Sequence, residues 1–224
     1  MLRIVAATRH DPQGFRHQTL LGRALDKLSF HTDLCVEVAC GNSNGLPDVF
    51  NAALARAPDS DVLVFTHDDV RIDDWHLPQR VRDALVRYPV VGVAGNRRRV
   101  AGQPSWAFID AKFTWDAREN LSGAVAHING GAELVSYYGP TPSSVTLLDG
   151  VFLAAKARVL RQAGITFDPL FRFHFYDLDF CRSCERAGLE LGTWPIAITH
   201  ASGGQFGSPE WKAAYVQYLD KWKK

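Results

Sequence analysis

The sequence predicts an α/β protein built on a parallel sheet covered by helices. Three observations carry this. Short apolar runs alternate with helically spaced segments over residues 1–95, glycine, proline and asparagine punctuate the joins, and Val62-Leu63-Val64-Phe65 is apolar without interruption, as in a strand buried on both faces. The 224 residues are 46% hydrophobic and 22% charged, enough apolar material for a sizeable core. A formal charge of +1, from 25 Lys and Arg against 24 Asp and Glu, leaves no electrostatic footprint for nucleic acid. No apolar run approaches the roughly 18 residues needed to span a bilayer. Met1-Leu2-Arg3-Ile4-Val5 enters a strand-like pattern with no leader-like stretch, and four cysteines do not make a disulfide scaffold, so a cytoplasmic protein is expected.

Leu2 to Ala7 suits a buried strand, and Phe15 to Leu28 places Leu20, Leu21, Ala24, Leu25 and Leu28 at helical spacing. Leu34 to Ala39 reads as a second strand and Gly41-Asn42-Ser43-Asn44-Gly45 as a loop. Pro47 opens a helix through Ala57, because a first-turn N–H has no helical partner to lose. Val62 to Phe65 is the third strand, Trp75 to Tyr88 a helix, and Val90 to Ala94 the fourth strand. After Gly95 the pattern loosens. Leu134 to Tyr138 and Val145 to Leu148 read as short strands around Gly139-Pro140-Thr141-Pro142. Val151 to Ala155 is strand-like, Ala157 to Ala163 a short helix, and Asp177 to Ala187 a helix closed by Gly188. Ser208 is placed to cap a last helix, whose apolar face is Trp211, Ala214, Tyr215, Tyr218 and Trp222.

Three segments hold residue types that chemistry needs. The first is Thr66-His67-Asp68-Asp69-Val70, directly after a buried strand, and ligands of open α/β sheets bind outside the carboxyl ends of strands. Adjacent Asp68 and Asp69 repel each other unless a cation neutralises them, which fits a divalent metal whose coordination a diphosphate completes. The plainer account is a turn with one capping and one solvated aspartate. The second segment is Phe173 to Phe180. Asp177 and Asp179 lie among aromatics at a helix start, where the dipole favours acids and where desolvation raises a carboxylate toward a general base's range. The third is Ile198-Thr199-His200, ending a short strand before Ala201-Ser202-Gly203-Gly204, with His200 a metal ligand, a phosphate contact or a structural histidine. Cys181 and Cys184 share a helix remote from Cys35 and Cys40, which favours ordinary thiols over zinc. Arg97-Arg98-Arg99 is either a solvated loop or a grip on a diphosphate or an anionic acceptor. The last helix, with Lys212, Lys221, Lys223 and Lys224 beside its aromatic face, packs on its own domain or makes a peripheral membrane contact.

Together these segments resemble the GT-A glycosyltransferases, in particular their family-2-like group, over most of the chain. Val62 to Val70 looks like that group's strand and D-x-D-type acidic motif. Leu148-Asp149-Gly150-Val151-Phe152-Leu153-Ala154-Ala155 looks like its acceptor-side strand, Phe171 to Gly188 like the segment in which an acidic pair opens a helix, and Thr199-His200 like its late metal-proximal histidine. His67 before the two aspartates, with Phe-His-Phe-Tyr-Asp-Leu-Asp-Phe at 173–180, is similar to a bacterial subgroup related to a streptomycin-biosynthesis protein.

The resemblance implies a Rossmann-like GT-A fold, a mostly parallel sheet flanked by helices. Residues 1–95 would be the nucleotide-sugar-binding half and 96–224 the acceptor and catalytic half of one domain. It implies hexosyltransferase-like transfer, with inversion, from a nucleoside-diphosphate sugar, a UDP-sugar foremost, to a glycan, lipid-linked or small-molecule acceptor. Asp69 would ligate Mn²⁺ or Mg²⁺ with His200 contributing, Asp68 would face the donor ribose or sugar, and Thr8, Arg9, Asn44 and Asn51 would line the nucleotide side. Asp149 and Gly150 would stand at the acceptor, and Asp177 would deprotonate its hydroxyl, with Asp179 the rival base. The motif departs at Tyr176, where the family more often has glutamate. Two other functions share these residues: a metal-dependent hydrolase with Asp68, Asp69, His174 and His200 as ligands, and a nucleotide-sugar-binding protein without turnover.

Overall fold

The computed structural model describes residues 1–129, 131–202 and 204–223. The chain runs β1 (Leu2–Ala7), α1 (Pro12–Gln18), α2 (Leu20–Leu25), β2 (Leu34–Ala39), α3 (Leu46–Arg56), β3 (Val62–Thr66), β4 (Val70–Ile72), α4 (Leu77–Arg87), β5 (Val90–Gly92) and β6 (Ala94–Asn96). It continues with β7 (Leu121–Asn129), β8 (Ala132–Gly139), β9 (Ser143–Val145), β10 (Leu147–Leu148), β11 (Phe152–Lys156), α5 (Ala157–Gln162), α6 (Tyr176–Arg186), β12 (Leu191–Thr193), β13 (Ile198–His200) and α7 (Pro209–Lys221).

The larger sheet has the order β2-β1-β3-β11-β5-β12-β9. β1 pairs in parallel with β2 and β3, β5 pairs in parallel with β12, and β11 runs antiparallel between β3 and β5. Every residue of β3 is buried, as its uninterrupted apolar run requires of a strand covered on both faces. The smaller sheet has the order β10-β6-β7-β13-β4, with β8 hairpinned onto β7.

Two expected elements are divided. The 15–28 helix breaks at Thr19, whose hydroxyl donates to Phe15 O (2.7 Å) and accepts from Gly22 N (3.0 Å), so it closes one helix and caps the next. The 90–94 strand divides at Val93, where the chain leaves the larger sheet for the smaller. Gly123 makes this crossing fit, because a Cβ there would lie 1.9 Å from Val93 O. The same change of sheet occurs at 67–69, between β3 and β4, and at 149–151, between β10 and β11. The seam binds its crossings together: Thr66 Oγ1 donates to Val151 O at 2.8 Å.

The last helix is capped by Ser208 as expected, its Oγ accepting from Trp211 N at 3.1 Å. Its aromatic face packs inward. Tyr215 and Tyr218 stack on Phe175, Trp211 packs against it at a tilt, and Trp211 and Tyr218 are buried, which corrects the membrane-contact reading. Lys221 is paired with Asp168 and Asp179, and Lys224 lies outside the described residues. Among the described residues no helix is long and apolar enough to cross a membrane.

Candidate active site

Two of these crossings, 67–69 and 149–151, contribute to a cleft of about 530 Å³. After β3 the chain turns through Asp68 and Asp69 before β4, and this turn brings Asp69 beside His67. β13 runs beside β4 with His200 opposite Val70, and Ala201 N donates to Asp69 O at 3.1 Å. His67, Asp69 and His200 thereby form a group whose potential ligand atoms lie within 4.8 Å of one another. Asp69 Oδ1 is 3.3 Å from His200 Nε2 and 3.9 Å from His67 Nδ1. Ligands held about 2.1 Å from one ion stand roughly 3 to 4 Å apart, so the spacing suits a divalent cation. Asp69 Oδ1 is also buried without an aligned hydrogen-bond partner. A carboxylate oxygen left so carries a large desolvation cost unless a cation meets it.

Tyr176 determines which His67 nitrogen is free. The tyrosine hydroxyl donates to Gly150 O at 2.8 Å and lies 2.7 Å from His67 Nε2. Its only proton is engaged, so the contact pairs when His67 Nε2–H donates, leaving a lone pair on Nδ1 toward Asp69. Burial pushes His67 below its usual pKa, against the opposing charge of Asp69, and keeps the ring neutral. Burial also pushes His200 down, but the Asp69 carboxylate outweighs it and the net shift is upward. Asp69 itself is held below its usual value, its two histidine neighbours overcoming burial.

Above this group stands a carboxylate of a different kind. Asp177 opens α6, with Oδ2 accepting from Gly150 N at 3.0 Å and Oδ1 from Leu178 N at 2.9 Å. Burial, reinforced by the charge of Asp149, raises its pKa to about 7. The turn that presents it is strained: Phe175 has φ +66°, a left-handed conformation that a bulky residue adopts at a cost of about 1–3 kcal/mol. The stack of α7 aromatics on Phe175 holds it there. Asp149 accepts from Trp106 Nε1 (2.8 Å) and from Val151 N (3.0 Å).

Of the residues singled out from the sequence, Asp68, Asp69, Asp149, Gly150, Asp177 and His200 line the cleft. The others do not. Asp179 is buried on the far side of α6, bound to Lys221 Nζ and Trp222 Nε1, which removes it as a rival base. Asn51 binds the backbone of Phe167 through both ends of its amide (2.7 and 2.9 Å), so it ties α3 to the chain before α6. Thr8 is buried, its hydroxyl accepting from His10 N, and neither Arg9 nor Asn44 lines the cleft, although neighbouring Ala7 does. The basic run is engaged elsewhere: Arg97 with Ser143, Arg98 with buried Asp116, Arg99 with Glu185. The cysteines are free, with Cys181 and Cys184 buried in α6. Gly203 lies outside the described residues. The four-ligand hydrolase set is not assembled: Asp68 and His174 line the cleft, but His67 completes the group with Asp69 and His200. His67 as the third member of this group, His127 beside His200, and Trp106 and Tyr138 in the lining are not marked by any pattern in the sequence.

No protein-family model and no curated protein matches the sequence. Solved structures do. GalNAc-T7, in a crystal structure with UDP, GalNAc and Mn²⁺, superposes with a TM-score of 0.58 at 13% identity, over 100% of this chain and 50% of that one. TarS of S. aureus gives 0.54 at 13% identity, over 98% of this chain and 40% of that one. Its fragment 1–349 gives 0.53 at 12% identity, over 97% and 64%. The chain has the GT-A glycosyltransferase fold. It spans half the length of the GalNAc-T7 chain. In this GT-A fold the mixed central sheet is flanked by helices, and the cleft lies along the seam where the chain passes to the smaller sheet.

Proposed function

We propose that the protein transfers a sugar from a nucleoside-diphosphate sugar to an acceptor hydroxyl, with a divalent cation held by His67, Asp69 and His200. The observation that carries this reading is the buried Asp69 Oδ1, without an aligned hydrogen bond, between two histidine nitrogens at a strand end of a GT-A fold. The presence of UDP, GalNAc and Mn²⁺ in the GalNAc-T7 structure supports it. Mn²⁺ or Mg²⁺ bound there would supply positive charge against that building on the departing diphosphate. His67 presents Nδ1, Asp69 Oδ1 and His200 Nε2. Asp177, poised near neutrality and fixed by two backbone N–H groups, takes the acceptor proton on a carboxylate oxygen, an assistance typically worth about 10² to 10⁴ in rate. The acceptor oxygen then bonds to the anomeric carbon as the carbon–oxygen bond to the diphosphate breaks, its electron pair leaving with the diphosphate. Attack from the opposite face inverts the centre. A family-2-like transferase, UDP as the nucleotide and a cytoplasmic location belong to the same reading.

Calorimetric titration with UDP, GDP, dTDP and CDP, each with and without Mn²⁺, tests it. Metal-dependent binding of one nucleotide, lost in Asp69→Asn, is the expected result. Metal binding with no nucleotide binding at all overturns it.

A further inference from the structure

The cleft has two chemically different walls. Beside the metal group the lining carries an aromatic cluster of Trp106, Phe108, Trp115, Tyr138 and Phe206, joined to the group through His127, whose Nε2 lies 3.1 Å from the Tyr138 hydroxyl. Trp115 lies nearly parallel to Tyr138 (19°, centroids 6.0 Å apart) and edge-on to Phe108 at 5.1 Å, yet 53% of it is exposed. Trp106 stands edge-on to Tyr138 at 4.8 Å, with its indole N–H held by Asp149. The indole of Trp115 is therefore supported by its neighbours and open at the cleft mouth.

Charge narrows what can lie against it. Among the described residues lining the cleft are the carboxylates Asp68, Asp69, Asp149 and Asp177, and no Lys or Arg. A phosphorylated or carboxylated acceptor would meet like charge on this wall with no side-chain cation to offset it. Aliphatic lining is sparse as well, with Leu46 and Leu178 the only described aliphatic side chains larger than alanine and proline. Aromatic faces with carboxylate, amide and hydroxyl groups between them suit one chemistry. The axial C–H face of a pyranose presents weakly positive hydrogens to a ring's negative π-face, while its equatorial hydroxyls require polar partners.

Resting on the transferase reading above, we propose that this wall is the acceptor subsite and takes a neutral pyranoside, its apolar face on Trp115 and its hydroxyls toward Asp149. Binding at this wall needs neither metal nor nucleotide.

Saturation-transfer NMR on the intact chain, without nucleotide, tests this with the methyl pyranosides of glucose, galactose, mannose and N-acetylglucosamine, and with glucose 6-phosphate as the anionic counterpart. At least one neutral glycoside should receive saturation, strongest on its axial hydrogens. Trp115→Ala, at a half-exposed position, should weaken that binding about tenfold, the loss of one aromatic stack, while Trp115→Phe retains most of it. Asp69→Asn should leave it unchanged, so a failed nucleotide titration and a failed acceptor subsite give different results. Silence from every neutral glycoside, wild-type binding by Trp115→Ala, or glucose 6-phosphate binding as tightly as its neutral relatives overturns the proposal.

Discussion

Replacing Asp177 with asparagine should make the protein progressively more stable than wild type as pH rises. Burial raises the folded-state pKa of Asp177 from an ordinary 3.8 to about 7. A group whose pKa is higher folded than unfolded holds its proton more tightly in the folded state, so its contribution to stability falls as pH climbs from about 4 to about 7. Three pK units at 1.36 kcal/mol each give about 4 kcal/mol lost by pH 8, of which about 1 kcal/mol is already lost near pH 4.5. Asparagine cannot ionise and escapes this loss. It carries a fixed cost instead, because one of the N–H groups of Gly150 and Leu178 would face an amide NH₂, worth about 1–3 kcal/mol. The difference between variant and wild type should therefore grow by about 3 kcal/mol between about pH 4.5 and pH 8, whatever the fixed cost is. Urea unfolding of both proteins in EDTA at several pH values measures it, and titrations common to both proteins cancel. Parallel stability curves would show that the Asp177 carboxylate is solvated, removing the basis for its assignment as a base.

The same pKa sets the rate profile: kcat/KM for transfer should rise through about pH 7 as a single proton leaves Asp177, and a profile flat from about pH 6 to pH 8 excludes it as the base. Tyr176→Phe keeps the packing of a buried ring but frees His67 Nε2, and should weaken Mn²⁺ binding about 10- to 100-fold by calorimetry without changing the circular dichroism spectrum. Asn51→Ala strips the amide from two backbone groups of Phe167 and should cost about 1–3 kcal/mol in urea unfolding while nucleotide affinity stays at the wild-type value.

The parts of the fold that could be read from the sequence are those where one periodicity governs a whole element. β1, α3 and β3 follow from apolar spacing because α3 buries one continuous face and the two strands bury residues on both of theirs. Of the β7–β8 hairpin only β8 was legible, as the Leu134 to Tyr138 strand. In β7 the run Leu121-Ser122-Gly123-Ala124-Val125-Ala126-His127 mixes small, polar and apolar residues and shows no strand-like run. The site was legible where acids follow a strand end, at Asp69, and where they open a helix among aromatics, at Asp177. It was obscure wherever the decisive partner is distant in sequence. Asn51 looks like a nucleotide contact until Phe167, 116 residues away, takes both ends of its amide. Asp177 and Asp179 are equivalent in sequence, and only Lys221 and Trp222 separate their roles.

Tyr176 and His67 each depart from a simple acidic motif, and the structure joins them into one device. A carboxylate at 176 would stand beside Asp177, whose pKa burial and Asp149 already raise, adding further like charge to a desolvated region. A tyrosine adds none at neutral pH, since burial pushes its own pKa up further. Its hydroxyl instead links Gly150 O to His67 Nε2, and Gly150 N links onward to Asp177. Gly150 is the close-packed joint of this chain of contacts: a Cβ there would come within 2.4 Å of the Tyr176 hydroxyl. The His67 nitrogen aimed at Asp69 and the Asp177 carboxylate are thus set by one run of hydrogen bonds from α6 through the 149–151 crossing to the end of β3. Tyrosine at 176 therefore does not by itself argue for a fold that has lost turnover; its hydroxyl leaves the His67 Nδ1 lone pair toward Asp69, which an acidic pair at 176 and 177 would leave unplaced.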